Sequence, residues 1–188
     1  MIEAAEVAAI LLAAGRSERF GSDKLLAPLA GEPVALHAAK RLAGLDTRWR
    51  VAICREASPL AEQFAALGFD VLINPHPAQG LSSSLALGIA YAEANGARAA
   101  LVALGDMPFV GPAHLSALLA AFDAGKAPVV ASAKGDTAMP PALFARAYFG
   151  RLREGEGDRG GRVLLAGATL VAADPDELAD IDRPEDMR

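Results

Sequence analysis

The segment Ala13-Ala14-Gly15-Arg16-Ser17-Glu18-Arg19-Phe20-Gly21-Ser22-Asp23-Lys24 sets three cations within nine residues, directly after an apolar run. Small residues let a backbone come close to a ligand, and successive N–H groups in such a turn cradle phosphate oxygens. Arg16, Arg19 and Lys24 supply local positive charge in a chain whose net charge is −5. The chemistry this predicts is the gripping of a nucleoside triphosphate. The loop is not a Walker motif, which reads GxxxxGK followed by Ser or Thr: five residues separate Gly15 from Gly21, and Lys24 comes three positions later. Nor is it GxGxxG, because a single glycine opens the turn. Both an ATPase switch and a dinucleotide oxidoreductase are disfavoured by that spacing.

A second group is Leu104-Gly105-Asp106-Met107-Pro108. A carboxylate just past a buried strand is placed to hold Mg²⁺, which takes one or two carboxylates, substrate phosphates and waters. The segment Asp180-Ile181-Asp182-Arg183-Pro184-Glu185-Asp186 offers a second carboxylate, though Asp182 there also reads as a helix cap or as part of an acidic solvated tail. Gly80, followed by Leu81 and by Ser82, Ser83 and Ser84, opens a helix. Serines at such a position cap the helix, or offer hydroxyls to a base or ribose. His37 and His114 fall within helical stretches and read as structural or surface residues, and nothing pairs His76 with a nucleophile. Cys54, the single cysteine, lies in the apolar run VAICR and reads as a buried strand residue.

The elements that must position these groups alternate strictly. Strands are predicted over 7–13, 50–55, 70–74, 99–104 and 128–133, with a late one over 169–173. Helices are predicted over 33–45, 58–67, 83–94 and 112–122, the second with Ser58 as N-cap and Pro59 in its first turn. The stretch 138–161 reads as a helix plus loops. Alternation of this kind implies right-handed crossovers and a mostly parallel sheet with helices on both faces, an α/β fold. Ligands of such sheets bind beyond the carboxyl ends of the strands, where the loops above fall.

Composition narrows the class. The 188 residues are read as one domain, and 53% of them are apolar, enough for a large core. The acidic balance argues against general nucleic-acid binding, which needs clustered Lys and Arg. A lone cysteine excludes a disulfide framework within the chain. No apolar run reaches the roughly 18 residues of a membrane span, and Glu3 and Glu6 stand where a secretory signal wants positive charge. The expectation is a cytoplasmic protein with neither membrane nor nucleic acid as partner.

The ordered set LAAGRSERFGSDKLL, NPHPAQGLSSSL, LGDMPFV, PALF, GDRGGRVLL and DIDRPED resembles the molybdopterin nucleotidyltransferases over essentially the whole chain, from Val7 to Asp186. Within them it is most similar to the molybdenum cofactor cytidylyltransferase branch, on GLSSSL and GDRGGRVLL. The resemblance implies a three-layer Rossmann-like nucleotidyltransferase fold. It implies that Leu12, Ala13, Ala14 and Gly15 line the nucleotide and that Arg16, Arg19 and Lys24 contact its phosphates. Asp106 would bind Mg²⁺, with Asp182 as second ligand. Gly80, Ser82, Ser83 and Ser84 would lie by cytosine and ribose. Gly157, Asp158, Gly160, Gly161 and Arg162 would face the pterin. The implied reaction is transfer of CMP from CTP to molybdopterin with release of pyrophosphate. Two departures stand out: Phe20 replaces a usual methionine, and Ala138-Met139-Pro140 precedes PALF where the family has glycine and often histidine. The second falls in the acceptor region. Other readings keep the fold: a sugar phosphate or methylerythritol phosphate as acceptor, a maturation factor that passes cofactor to a client molybdenum enzyme, or a flavin-dependent redox enzyme.

Overall fold

The computed structural model describes residues 2–15, 23–56, 58–155 and 164–186. Its centre is strand β1 (Val7–Ala13), buried along its whole length. A strand buried on both faces needs an unbroken apolar run rather than alternation, which is what VAAILLA provides. After a short hairpin of β2 (Pro28–Leu29) and β3 (Glu32–Pro33), the chain forms α1 (Val34–Ala43), β4 (Trp49–Cys54), α2 (Ala61–Ala66) and β5 (Asp70–Ile73). It continues through α3 (Leu81–Ala94), β6 (Ala99–Leu104), α4 (Pro112–Ala121) and β7 (Val129–Lys134). Strand β8 (Thr137–Ala145), α5 (Phe149–Glu154) and β9 (Thr169–Ala172) complete it.

Seven strands make one sheet in the order β5-β4-β1-β6-β8-β7-β9. Strand β1 pairs in parallel with β4 on one side and β6 on the other, and β4 pairs in parallel with β5. Pleating splits β1 between two cores. Val7, Ala9, Leu11 and Ala13 join residues of α1, α2 and α4 on one face. Ala8, Ile10 and Leu12 join α3 and α5 on the other. The expected three-layer α/β arrangement is therefore present, and the ends of β1, β4, β5 and β6 open on one edge.

Helix α3 approaches β1 closely at Gly88. A Cβ built there would lie 2.5 Å from Cγ2 of Ile10, so only glycine lets this helix approach the central strand.

The stretch 138–161 is a correction. It begins not with a helix but with nine-residue β8, antiparallel between β6 and β7; the helical part is α5. The two prolines that speak against a strand fall in a bulge: Ala131 pairs with Ala142, whereas Ser132 pairs with Met139. Pro140 and Pro141 are passed over by the ladder and their missing N–H groups cost nothing there. Helix α2 starts at Ala61, later than its sequence signal. Ser58 accepts from the Leu60 amide at 3.4 Å in the turn just before it.

Candidate active site

The edge of the sheet is shaped first by backbone contacts. Ala13 and Ala14 are buried and Gly15 is exposed, with no atom of the described residues within 4 Å of where its Cβ would stand. The Gly105 amide donates to the Leu12 carbonyl at 3.0 Å, which draws the Gly105-Asp106-Met107-Pro108 loop against the end of β1. A Cβ at Gly105 would stand in ordinary contact with the Leu12 oxygen and Leu25, both at 3.4 Å.

Lys24 is aimed by the residues beside it. Asp23 caps a short 3-10 turn, Lys24–Leu26, by accepting from the Leu25 amide at 3.2 Å. Its other oxygen pairs with Arg55, at the end of β4. Leu25 is buried beneath. Lys24 Nζ then lies 2.7 Å from Asp106 Oδ2 and 2.7 Å from Asp182 Oδ1.

Asp182 reaches this point because of Ile181. That side chain is fully buried against Ala27, Leu29, Val34 and Phe109, and its amide donates to the Asp106 carbonyl at 2.8 Å. Asp186 then accepts from the amides of Asp182 and Arg183 at 3.0 and 2.8 Å. The C-terminal acidic segment is thus a docked structure. Asp180 reaches Asp106 through its charge, whereas Asp182 touches Lys24 directly.

The charges in this group do not balance locally. Burial pushes the Asp106 carboxyl above its ordinary range, against the pull of Lys24, and Asp180 adds to the rise. Burial also opposes the Lys24 charge, but Asp106 and then Asp182 outweigh it and raise its pKa. Asp106 Oδ1 is buried and has no hydrogen-bond partner among the described residues. A buried acceptor in that state costs free energy until something supplies positive charge or a proton. A hard divalent cation fits it. Among the described residues no group of three or more His, Cys, Asp or Glu gathers to hold a metal. Mg²⁺ takes one or two carboxylates and completes its shell with substrate phosphates and water.

The serine segment is organised by Asn74, a buried side chain just past β5. Its amide donates to Ser83 Oγ at 2.8 Å and Ser84 Oγ at 2.9 Å, and its carbonyl accepts from the His76 amide at 2.8 Å. Ser83 donates to the carbonyls of His76 or Gly80, at 3.1 and 3.0 Å. Helix α3 begins on Gly80, at φ +84°, with no side-chain cap. The serines therefore do not cap: they brace the loop over 74–80 against the helix. Beside it a cleft of about 560 Å³ opens between α3 and α5, lined by Asn74, His76, Gln79, Ser83, Leu87 and Arg153 among others.

Of the predicted residues, Leu12 to Gly15, Lys24, Gly80, Asp106 and Asp182 stand at this strand-end edge or on the loops that border it, and Ser82 to Ser84 form the first turn of α3 beside them. Lys24, Asp106 and Asp182 meet in one cluster. Arg16, Arg19, Gly157, Asp158, Gly160, Gly161 and Arg162 lie outside the described residues. Asp23, Arg55 and Ile181, not among the predicted site residues, also shape the site. A capping Asp before Lys24 and a cation directly after β4 were the signals for the first two; a lone Ile in an acidic segment gave a weaker one. Cys54 is buried as predicted, and burial pushes its thiol up to about 11.

The MobA-like NTP transferase domain matches residues 9–175. The chain belongs to that family. Purine catabolism protein PucB of Bacillus subtilis is 33% identical over 193 residues, spanning 94% of this chain and 92% of the relative. The molybdenum cofactor guanylyltransferase of Cereibacter sphaeroides is 33% identical and covers 95% and 92% of the two chains. Among solved structures, a nucleotidyl transferase from Methanothermobacter superposes with a TM-score of 0.80 at 27% identity, covering 96% and 93%. Rv0371c from Mycobacterium tuberculosis gives 0.77 at 26%, covering 97% and 96%. A further structure of Rv0371c is a complex with manganese, with a TM-score of 0.67 at 25% identity and coverage of 89% and 88%. As a MobA-like transferase the chain is an enzyme of the nucleotidyltransferase type.

Proposed function

We propose that this nucleotidyltransferase moves CMP from CTP onto the phosphate of molybdopterin-type cofactor, with Mg²⁺, releasing pyrophosphate. The observation that carries the transfer chemistry is the Lys24–Asp106–Asp182 cluster, with Asp106 Oδ1 lacking a hydrogen-bond partner among the described residues, beside the loop that ends β1. The acceptor follows from the relative named for the molybdenum cofactor, which matches nearly the whole chain. The cytidine base follows from the segment Gly80-Leu81-Ser82-Ser83-Ser84-Leu85 and its likeness to the cytidylyltransferase branch. A second reading has GTP as donor, and it is favoured by the guanylyltransferase names of several relatives.

An acceptor phosphate oxygen attacks the α-phosphorus of the nucleotide; the bond from that phosphorus to the bridging oxygen breaks, and its electrons leave with pyrophosphate. Mg²⁺ held by Asp106 and Asp182 would neutralise the phosphate oxygens as charge redistributes. The protein's part is positioning and charge. The backbone of Leu12 to Gly15 holds the nucleotide. Lys24, Arg16 and Arg19 balance the α-phosphate and the leaving group. Gly80 and Ser82 to Ser84 border the base and ribose, held in shape by Asn74. By the family resemblance, Gly157, Asp158 and Gly160 to Arg162 would face the pterin. A phosphate nucleophile is ionised at neutral pH, so no histidine base is called for.

The test is purified protein with Mg²⁺, molybdopterin and each of CTP, GTP and ATP, scored by the mass of the product. A cytidine dinucleotide is expected. A guanine dinucleotide alone would replace the base assignment, and no product with molybdopterin from any nucleotide would sink the acceptor.

A further inference from the structure

The resting site already holds a cation between the two carboxylates proposed for the metal. Lys24 Nζ bridges Asp106 Oδ2 and Asp182 Oδ1, 2.7 Å from each, and its side chain is only 12% exposed. Resting on the metal reading above, we propose that Lys24 is a built-in counter-cation of this pair, so that the divalent ion enters together with the nucleotide and not ahead of it. A divalent ion on Asp106 and Asp182 faces the ammonium at close range, and like charges that near in a partly buried site exclude one another. The ammonium leaves only when it has another anion to go to, and a triphosphate on the loop that ends β1 is that anion. The backbone under Lys24 need not move: the Asp23 cap and buried Leu25 hold it, so only the lysine stem swings. By linkage, nucleotide and metal then raise each other's affinity by the same factor.

The consequence is unusual for a residue that binds phosphate. Removing its charge should tighten metal binding when no nucleotide is present. Mn²⁺ binding, followed by the electron paramagnetic resonance of the free ion, is measured without nucleotide on the wild-type protein, Lys24→Gln, Lys24→Met, Lys24→Arg and Asp106→Asn; two neutral variants are used so that one poor folder does not decide. Lys24→Gln or Lys24→Met is expected to bind Mn²⁺ roughly tenfold more tightly than wild type, within the usual span of site-to-site couplings. Lys24→Arg, which keeps the charge, is expected to stay near wild type. With a non-hydrolysable CTP analogue, the factor by which nucleotide tightens Mn²⁺ is expected to shrink in the neutral variants. Equal or weaker Mn²⁺ binding by the neutral variants would overturn the proposal, because the metal would then sit on Asp106 Oδ1 with Lys24 still in place. Tightening in Lys24→Arg as well would also overturn it, by removing charge as the cause. Unchanged Mn²⁺ binding by Asp106→Asn is a different result, and it would sink the metal site itself.

Discussion

At the scale of single residues, Asp106 stands apart because its two oxygens are treated differently. One pairs with Lys24 and the other is buried without a hydrogen-bond partner among the described residues. Asn at this position keeps the shape and removes the charge. Asp106→Asn is therefore expected to lower kcat by about 10²–10³, the scale for losing one preorganised electrostatic contact to a transition state, with thermal stability held or improved. Pyrophosphate release checks the first and a melting curve the second. A variant that kept wild-type kcat would remove Asp106 from the machinery. The loop around Lys24 and Asp106 was legible in the sequence because each motif is contiguous and follows directly on an apolar run.

At the scale of elements, two joints carry the geometry of the site. The first is α3 against β1, where Gly88 leaves no room for a methyl group beside Ile10. Gly88→Ala is expected to cost about 1–3 kcal/mol through overpacking, read as a fall in melting temperature; unchanged stability would mean that α3 can shift on the sheet. The second is the C-terminal segment, held by Ile181 in its small cluster. Cutting an isoleucine to alanine at a well-packed site costs about 2–5 kcal/mol, and Ile181 packs in a small cluster with Ala27, Leu29, Val34 and Phe109, apart from the two main cores of the sheet. Ile181→Ala should therefore show its effect locally. Amide hydrogen exchange at residues 181–183 is expected to speed up strongly while β1 amides keep their protection. Protection retained at those residues would show that the segment is held by something other than Ile181. Neither joint can be read from local pattern. Gly88 looks like an ordinary weak point in a helix, and Ile181 is one apolar residue among acids.

At the scale of the whole molecule, stability responds to pH through a buried group away from the site. His114 of α4 lies with Nε2 2.8 Å from Ser132 Oγ, and that hydroxyl donates to the Pro141 carbonyl at 2.8 Å. Ser132 thus accepts from the ring, and the chain of bonds ties α4 to the bulge between β7 and β8. Burial lowers the His114 pKa below 6.5, outweighing the opposite pull of Glu177. The unfolded chain therefore takes up a proton before the folded one. The stability this implies is whole above the unfolded pKa of about 6.5 and is lost as pH falls through the window just beneath it. Chemical denaturation at pH 7 and pH 5 should show that loss in wild type and less of it in His114→Gln. Equal losses in the two proteins would assign the pH dependence to other groups.

The sequence by itself determined the α/β alternation, the parallel core of the sheet and the strand-end loops. These rest on short-range signals: apolar runs of strand length, a glycine turn with clustered cations, and an aspartate two residues past a strand. What only the tertiary structure decided is everything that joins distant parts of the chain. Lys24 and Asp182 are 158 positions apart and meet at 2.7 Å, and no periodicity encodes such a meeting. Strand β8 is a strand at all only because its two prolines can sit in a bulge between β7 and β8, a choice made by pairing across the sheet. Ser83 and Ser84 at the start of α3 serve Asn74 and not the helix dipole. Local signals fix which elements form and where their ends lie. Which side chains then share a site depends on long-range packing, where one buried isoleucine and one glycine set the distances.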